Sequence, residues 1–496
     1  MVRGAFTVLA LALAALLAVE AAVAAADLAA RPRDAVFAVE AALLVVEAAL
    51  VLFAIPLLLA ARAGRPAAPP ELADDALAAV DLFVPVRDED ARVLAATLAG
   101  ASKLDYPASR LAVWILDDST TEAARRDVDR VARETGARVL RRAEGRGLKA
   151  GALNAALART QAPIVAVLDV DHVPDPSFLR RAAAGLAADP GAACVQTRIA
   201  WRNADAPLRR LAALLQSHFY GVIQWDRGAR GRAVFAGSAA AFRRAALEDA
   251  RGFPEATLVE DFDLTVILAT RGWRIAYDDR VGATGLLPWT GRDLARQLWR
   301  WSHGTTRVLR LRAGAILRSD LPAREKAELI AAAGAYVAGG LFVLAGLLLA
   351  AHAELGTATP AHAVVPLVML APASVLVAHV ATARIALARE GRRDAALLLP
   401  YHFVSLAFTP ILFASTLAAL AGLGPRDAGR VGKARDGPRA RQPAFLAVAA
   451  GAAAFGVALA LLAFPLIPAS RSAWPWALEL AAAFLLPLGL WMPTRS

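Results

Sequence analysis

"APIVAVLDVDHVPD", Ala162–Asp175, runs an apolar stretch up to Asp169 and Asp171 and then turns at Pro174. Alternation along an extended strand puts residues i and i+2 on one face, so these two carboxylates are expected to point the same way. Side by side they repel. They are tolerated where a cation, or a cation with a phosphate, fills the gap between them. An acid-rich turn closing an ordinary strand has the same composition, so the flanking sequence has to decide.

The flanks repeat the plan. "VDLFVPV" (80–86), "RLAVWILDD" (110–118) and "ARVLRR" (137–142) read as short strands with helical patterns between them. Such alternation with buried strands predicts a parallel α/β sheet, in which ligands bind outside the carboxyl ends of the strands. Asp117, Asp118, Asp169 and Asp171 all fall at such ends. In "RRAEGRGLKAGALNAAL" (141–157), Gly145, Gly147 and Gly151 let a loop hug a ligand, Lys149 adds a point charge, and a helix is expected from near Ala152. The GxxxxGKS/T spacing of a Walker loop is absent. The stretch suits either a basic surface loop or a diphosphate clamp.

"LVEDFDL" (258–264) sets Glu260, Asp261 and Asp263 in an apolar frame, a pattern that also suits a helix start, where the macrodipole favours acids. "RQLWRWSHG" (296–304) spaces Gln297, Arg300 and Trp301 at i, i+3 and i+4, on one helical face. An amphipathic helix on a membrane surface is expected there. It would also offer Trp301 as a platform for a flat sugar and Arg300 for phosphate.

The chain has 496 residues, 58% of them hydrophobic, and a net charge of +11. Its mean hydropathy of +0.47 is too high for a soluble protein. A nucleic-acid-binding role would explain the charge but neither the acids nor the apolar runs. Basic loops on the inner side of a membrane explain it better. One cysteine, Cys194, excludes a disulfide framework and Cys-based zinc.

Apolar stretches near 5–25, 36–61, 328–351, 363–386, 444–466 and 474–492 are long enough to cross a bilayer. The first is expected to be a retained helix rather than a cleaved signal. Glu20, Glu40 and Glu47 within these stretches are expected to face other helices. "HAELGTATPAH" (352–362) has no Lys or Arg, whereas "ARIALAREGRR" and "RDAGRVGKARDGPRAR" are strongly basic and belong on the cytoplasmic side. Residues 395–422 therefore do not cross. With Pro400 and Pro410 they read as an interfacial or re-entrant hairpin.

Taken in order, "FVPVRDE", "ILDD", "LKAGALNAAL", "LDVDHVPD", "FAGSAAAFRR", "VEDFDL…RGW" and "QLWRW" resemble the membrane-embedded processive family 2 glycosyltransferases. Within that family the likeness is to the bacterial cellulose synthase catalytic subunit and the related hyaluronan and mannan synthases. The resemblance implies a GT-A-type, Rossmann-like α/β cytoplasmic domain inserted between two α-helical transmembrane bundles. Its expected layout is two transmembrane helices in 1–65, the GT-A domain in 75–315 ending in an interface helix, and a transmembrane hairpin in 326–390. An interfacial segment with a basic loop would follow in 391–443, and a second hairpin in 444–496.

The family implies a nucleotide sugar, UDP-linked in most members, and Mg²⁺ or Mn²⁺. Carried over, Glu89, Asp117 and Asp118 would contact the nucleotide and Lys149 the diphosphate. Asp169 and Asp171 match the DxD motif, with Asp171 the direct metal ligand. Asp261 would be the general base of an inverting displacement. Arg300 would bind the diphosphate, with Gln297 and Trp301 on the acceptor. Phe235, Gly237 and Ser238 would line the acceptor path. The sequence departs from the pattern at Arg87, where an aromatic is expected near the base, and at Val259, where a threonine is expected. No clean gating motif is present, although Lys433 and Arg435 are well placed.

The activity implied is elongation of a β-linked glycan at the cytoplasmic face of the inner membrane, with passage through the chain's own spans and an accessory export subunit as a partner. Transfer of one sugar to a lipid acceptor is the alternative. A transporter or receptor that binds nucleotide without chemistry fits less well, because both the metal acids and the base are present.

Overall fold

The computed structural model describes residues 2–29, 33–142, 147–334, 336–354 and 365–423. Two apolar helices come first, α1 (Val2–Ala29) and α2 (Ala35–Ala60). Thr7–Ala29 and Ala35–Ala60 are each long and apolar enough to cross a membrane. Val8, Leu11, Val19 and Val45 point outward, while Leu43, Leu50 and Leu58 are buried against neighbours. Glu40 and Glu47 are buried as well, turned away from the apolar outer face where a carboxyl would be costly.

The α/β domain follows. Its strands are β1 (Val80–Val86), β2 (Leu111–Asp117), β3 (Arg138–Arg141), β4 (Ile164–Val167), β5 (Val173–Pro174), β6 (Ala192–Trp201), β7 (Ala240–Arg243) and β8 (Arg274–Gly285). Between them lie α3 (Ala91–Ala101), α4 (Glu122–Thr135), α5 (Leu148–Leu157) and α6 (Phe178–Ala188). Then come α7 (Pro207–His218), which runs through a π-helical turn (Phe219–Gln224) into α8 (Trp225–Gly228), α9 (Arg244–Asp249) and α10 (Glu260–Thr270).

The strands form one sheet in the order β3-β2-β1-β4-β7-β6-β8-β5. The half β3-β2-β1-β4 is parallel, as the strand–helix alternation predicts. The other half is mixed, because β7 runs antiparallel to both β4 and β6. Ser238, just ahead of β7, is tied to the Asp169 amide at the carboxyl end of β4. A strand that starts there can only run back toward the amino end. Phe83, Phe178, Phe242 and Phe253 fill the core, and Cys194 is a buried free thiol in β6.

Six helices complete the described fold: α11 (Gly291–Arg318), α12 (Ala323–Ala333), α13 (Val337–Glu354), α14 (Val365–Arg389) and the pair α15 (Leu398–Ala407) and α16 (Thr409–Leu420). The apolar run expected near 328–351 is broken at Gly334, which follows the last turn of α12. Ala395–Leu406 and Thr409–Leu420 are bent by 40° at a break ahead of Pro410, whose missing N–H interrupts the helical ladder. α16 lies against α11, where Ser415 donates to Ser302 Oγ at 2.7 Å and Ser302 reaches Thr416 at 3.2 Å. The stretches expected to cross near 444–466 and 474–492, and Lys433 and Arg435, lie outside the described residues.

Candidate active site

Parallel register fixes the site. Val86 at the end of β1 pairs with Asp117 at the end of β2, and Phe83 pairs with Val167 at the end of β4. β1 therefore separates the Asp117–Asp118 end from the Asp169–Asp171 end. At the usual strand spacing the two acidic ends lie about 10 Å apart. That is the scale of a nucleoside diphosphate, with Glu89 between.

Asp117 is fully buried at its side chain, accepting from Arg141 Nε at 2.6 Å and from the Ser119 N–H at 3.0 Å. Asp118 is gripped by Arg142 through Nε at 2.8 Å and Nη2 at 2.6 Å. Arg142 also donates to the Leu148 carbonyl at 3.0 Å, linking this end to the start of α5. Glu89 accepts from the Arg87 N–H. Asp88, at φ 59°, stitches the end of β1 to the β2 side by accepting from Thr120 N at 2.8 Å and Thr120 Oγ1 at 2.6 Å.

Helix α5 starts at Leu148, ahead of the Ala152 expected, because Gly147 takes the left-handed conformation at its N-cap. Lys149 is thereby carried into the acids. Its Nζ donates to Asp169 Oδ1 at 2.6 Å and to the Gly237 carbonyl at 2.6 Å, and lies 3.5 Å from Glu260. Burial disfavours the charge, yet Asp169, Glu260 and Asp261 hold Lys149 above the usual lysine pKa.

Asp169 and Asp171 are not on a strand. β4 ends at Val167, and the acids sit in a turn closed by the His172 N–H donating to the Asp169 carbonyl at 2.9 Å. Thr97 Oγ1 fixes the same turn by donating to the Val170 carbonyl at 2.6 Å. Convergence thus comes from the turn rather than from strand alternation, and it brings His172 along. One donor atom each from Asp169, Asp171 and His172 lie within 4.8 Å of one another. Two carboxylates and an imidazole make a donor set that fits a hard or borderline divalent cation.

Asp261 sits in the first turn of α10. Gly237, at φ 84°, lies under it, and a Cβ there would stand 2.9 Å from Asp261 Oδ2 and 3.7 Å from Lys149 Nζ. Burial and the adjacent Glu260 push the Asp261 carboxyl up to about 7, against the Phe262 N–H, Lys149 and Arg300. Burial also raises the pKa of the Tyr220 phenol, in the π-helical turn, and the charges of Asp261 and Asp169 add to the rise. The third acid of that stretch, Asp263, is structural: it is fully buried and paired with Arg312 Nε at 2.8 Å, pinning α10 to α11.

Arg300 reaches the site from α11, close enough to lower the Asp261 pKa. Gln297 is buried on the same helix, and its Oε1 has no hydrogen-bond partner among the described residues. Trp301 is half-buried between the α16 side and the α10 side of the helix. Phe235 is in the core, edge-on to Phe242 at 4.8 Å. Ser238 is fully buried against the DxD turn.

Sequence reasoning missed four residues: His172, Arg141, Arg142 and Gln196. Gln196 fixes the Gly237 loop, donating to the Ser238 carbonyl at 2.9 Å and accepting from the Ala236 N–H at 2.8 Å. His172 was visible, directly after the second aspartate. The others are contacts between strands that spacing does not encode.

Lys149 thus faces Asp169, Glu260 and Asp261, Arg300 lies beside Asp261, and Asp171 shares the turn of Asp169. Such an arrangement can hold a divalent cation with a polyphosphate while keeping a basic carboxylate beside it.

Residues 78–304 match the family model described as "Glycosyltransferase like family 2". The UDP-forming catalytic subunit of cellulose synthase 1 from Komagataeibacter xylinus is 33% identical over 239 residues, covering 47% of this chain and 31% of that one. Glucomannan 4-beta-mannosyltransferase 7 from Arabidopsis thaliana is 32% identical over 234 residues, 45% of this chain and 42% of the other. The chain spans less than half the length of these curated relatives. A mannosyltransferase from Pyrobaculum calidifontis, solved with GDP-Man and Mn²⁺, has a TM-score of 0.52 at 23% identity, over 77% of this chain and 99% of that one. That likeness is one of fold.

Proposed function

We propose that residues 78–304, which match a glycosyltransferase family model, transfer a sugar from a nucleotide sugar, UDP-linked, to a growing β-linked glycan. The observation that carries this reading is the position of Lys149. One ammonium touches the DxD turn, the Gly237 loop and the acidic start of α10 at once.

In this reading the base and ribose lie over Glu89, Asp117 and Asp118, with Arg141 paired to Asp117 and Arg142 to Asp118. The diphosphate lies over Lys149 and Arg300. Asp171 and Asp169 hold Mg²⁺ or Mn²⁺, which when bound neutralises the departing diphosphate. Asp261 accepts the proton of the acceptor hydroxyl as its oxygen attacks the anomeric carbon from the face opposite the diphosphate. A single displacement inverts the configuration, so an α-linked donor gives a β-linked product. Gln297 and Trp301 position the acceptor sugar, while Phe235 backs the Gly237–Ser238 loop from the core.

In this reading the enzyme is a multi-pass protein of the inner membrane with this domain in the cytoplasm, a reading supported by two amino-terminal helices long and apolar enough to cross a bilayer. The glycan leaves through its spans, to an accessory subunit on the far side. The test is a panel of UDP- and GDP-sugars with Mg²⁺ or Mn²⁺ on the purified chain. One UDP-sugar is expected to give a product ladder. Transfer of a single sugar to lipid would replace the processive reading, and failure to turn over any donor of the panel would remove the activity.

A further inference from the structure

This inference rests on the reading that the DxD turn holds a cation. Ser238 is fully buried, and its hydroxyl sits between two parts of that turn. It accepts from the Asp169 N–H at 2.8 Å and lies 2.7 Å from His172 Nδ1. The imidazole is held on its other sides too. Trp201 meets it edge-on at 6.1 Å, and a Cβ on Gly285 would come within 2.5 Å of His172 Cδ2 and Nε2. The ring therefore has one orientation, with Nδ1 toward Ser238 and Nε2 4.0 Å from Asp171 Oδ1.

We propose that Ser238 is a positioning residue for the metal site: it takes the Nδ1–H of His172, so that Nε2 keeps its lone pair and is the third protein donor beside Asp169 and Asp171. Metal–ligand distances of roughly 2.0–2.2 Å let two donors of one ion stand up to about 4.3 Å apart, which accommodates the Asp171–His172 spacing. A ligating histidine is held in its tautomer by a partner on its other nitrogen, and losing that partner costs about 10–100-fold in metal affinity. An imidazole among carboxylates also tilts the site toward Mn²⁺ over Mg²⁺, since Mg²⁺ gains little from nitrogen.

The experiment uses the full chain in detergent, titrated with Mn²⁺ alone and then with Mg²⁺ alone, with pulsed EPR on the bound Mn²⁺. The wild type is expected to show the ¹⁴N coupling of a directly bound imidazole, and His172→Ala to lose it. Ser238→Ala is expected to weaken Mn²⁺ about 10–100-fold while leaving Mg²⁺ nearly unchanged. A general loss of structure would weaken both metals alike, and that result overturns the proposal. So does bound Mn²⁺ in the wild type with no ¹⁴N coupling. If Mn²⁺ supports sugar transfer yet carries no nitrogen, the role of His172 and Ser238 falls alone. If Mn²⁺ does not bind the wild type at all, the metal reading falls with it.

Discussion

Asp261 owes its basicity to burial and one acidic neighbour, opposed by two cations. Burial and Glu260 raise its pKa to about 7, and Lys149 and Arg300 restrain the rise. A base must be ionised to work, so kcat/KM is expected to rise with pH through about 7, the value for the free enzyme. Glu260→Gln removes a like charge, and the acidic limb should move down by roughly one pH unit. A pH–rate profile checks both, and an unmoved limb would detach Asp261 from the rate. At this scale much was legible. Asp169, Asp171, Lys149 and Asp261 stand out as polar residues set in apolar frames at strand and helix ends. Arg141 and Arg142 did not, because pairing with Asp117 and Asp118 depends on β3 lying beside β2.

Between elements, α10 and α11 meet without slack. Asp263 pairs with Arg312, and a Cβ on Gly304 would stand 2.6 Å from Val259 Cγ1. Val259 caps the helix that carries Asp261, and α11 carries Arg300. Gly304→Ala is expected to push these helices apart and lower kcat roughly 10- to 100-fold, because small misplacements of reacting groups are costly. Adding Val259→Ala should recover most of the loss by vacating the contact. Kinetics of the single and double variants decide it, and equal losses in both would contradict this packing. Element types were readable from periodicity, including the helix with Gln297, Arg300 and Trp301 on one face. The reversal of β7 was not, since a tertiary contact between Ser238 and Asp169 sets its direction.

Across the whole molecule, Arg389 ties three regions together. From the end of α14 it donates to the Ala61 carbonyl at 2.9 Å and the Ala63 carbonyl at 3.2 Å, past the end of α2, and also to the Gly221 carbonyl in the π-helical turn. Its guanidinium stacks 4.4 Å from the Trp225 ring centre. Hydrogen bonds from a charged donor contribute about 1.5–3 kcal/mol, and lysine cannot copy the fork. Arg389→Ala is expected to lower the melting temperature in detergent by roughly 3–6 °C and to reduce kcat more than nucleotide affinity. Scanning fluorimetry with steady-state kinetics tests this, and an unchanged melt would deny the link. The apolar helices at the amino end were plain in the sequence from hydropathy alone. Their attachment to the α/β domain was not, because one arginine serving three carbonyls leaves no periodic trace.

The most direct measurement pairs Asp171→Asn with Asp261→Asn, reading nucleotide binding by calorimetry with Mn²⁺ and sugar transfer by radiolabel. Asp171→Asn should lose the Mn²⁺-dependent part of UDP affinity. Asp261→Asn should bind UDP as the wild type does while transfer falls about 10²–10⁴-fold. Transfer by Asp261→Asn within a few-fold of wild type, or UDP affinity in Asp171→Asn untouched by the change, would contradict the site described.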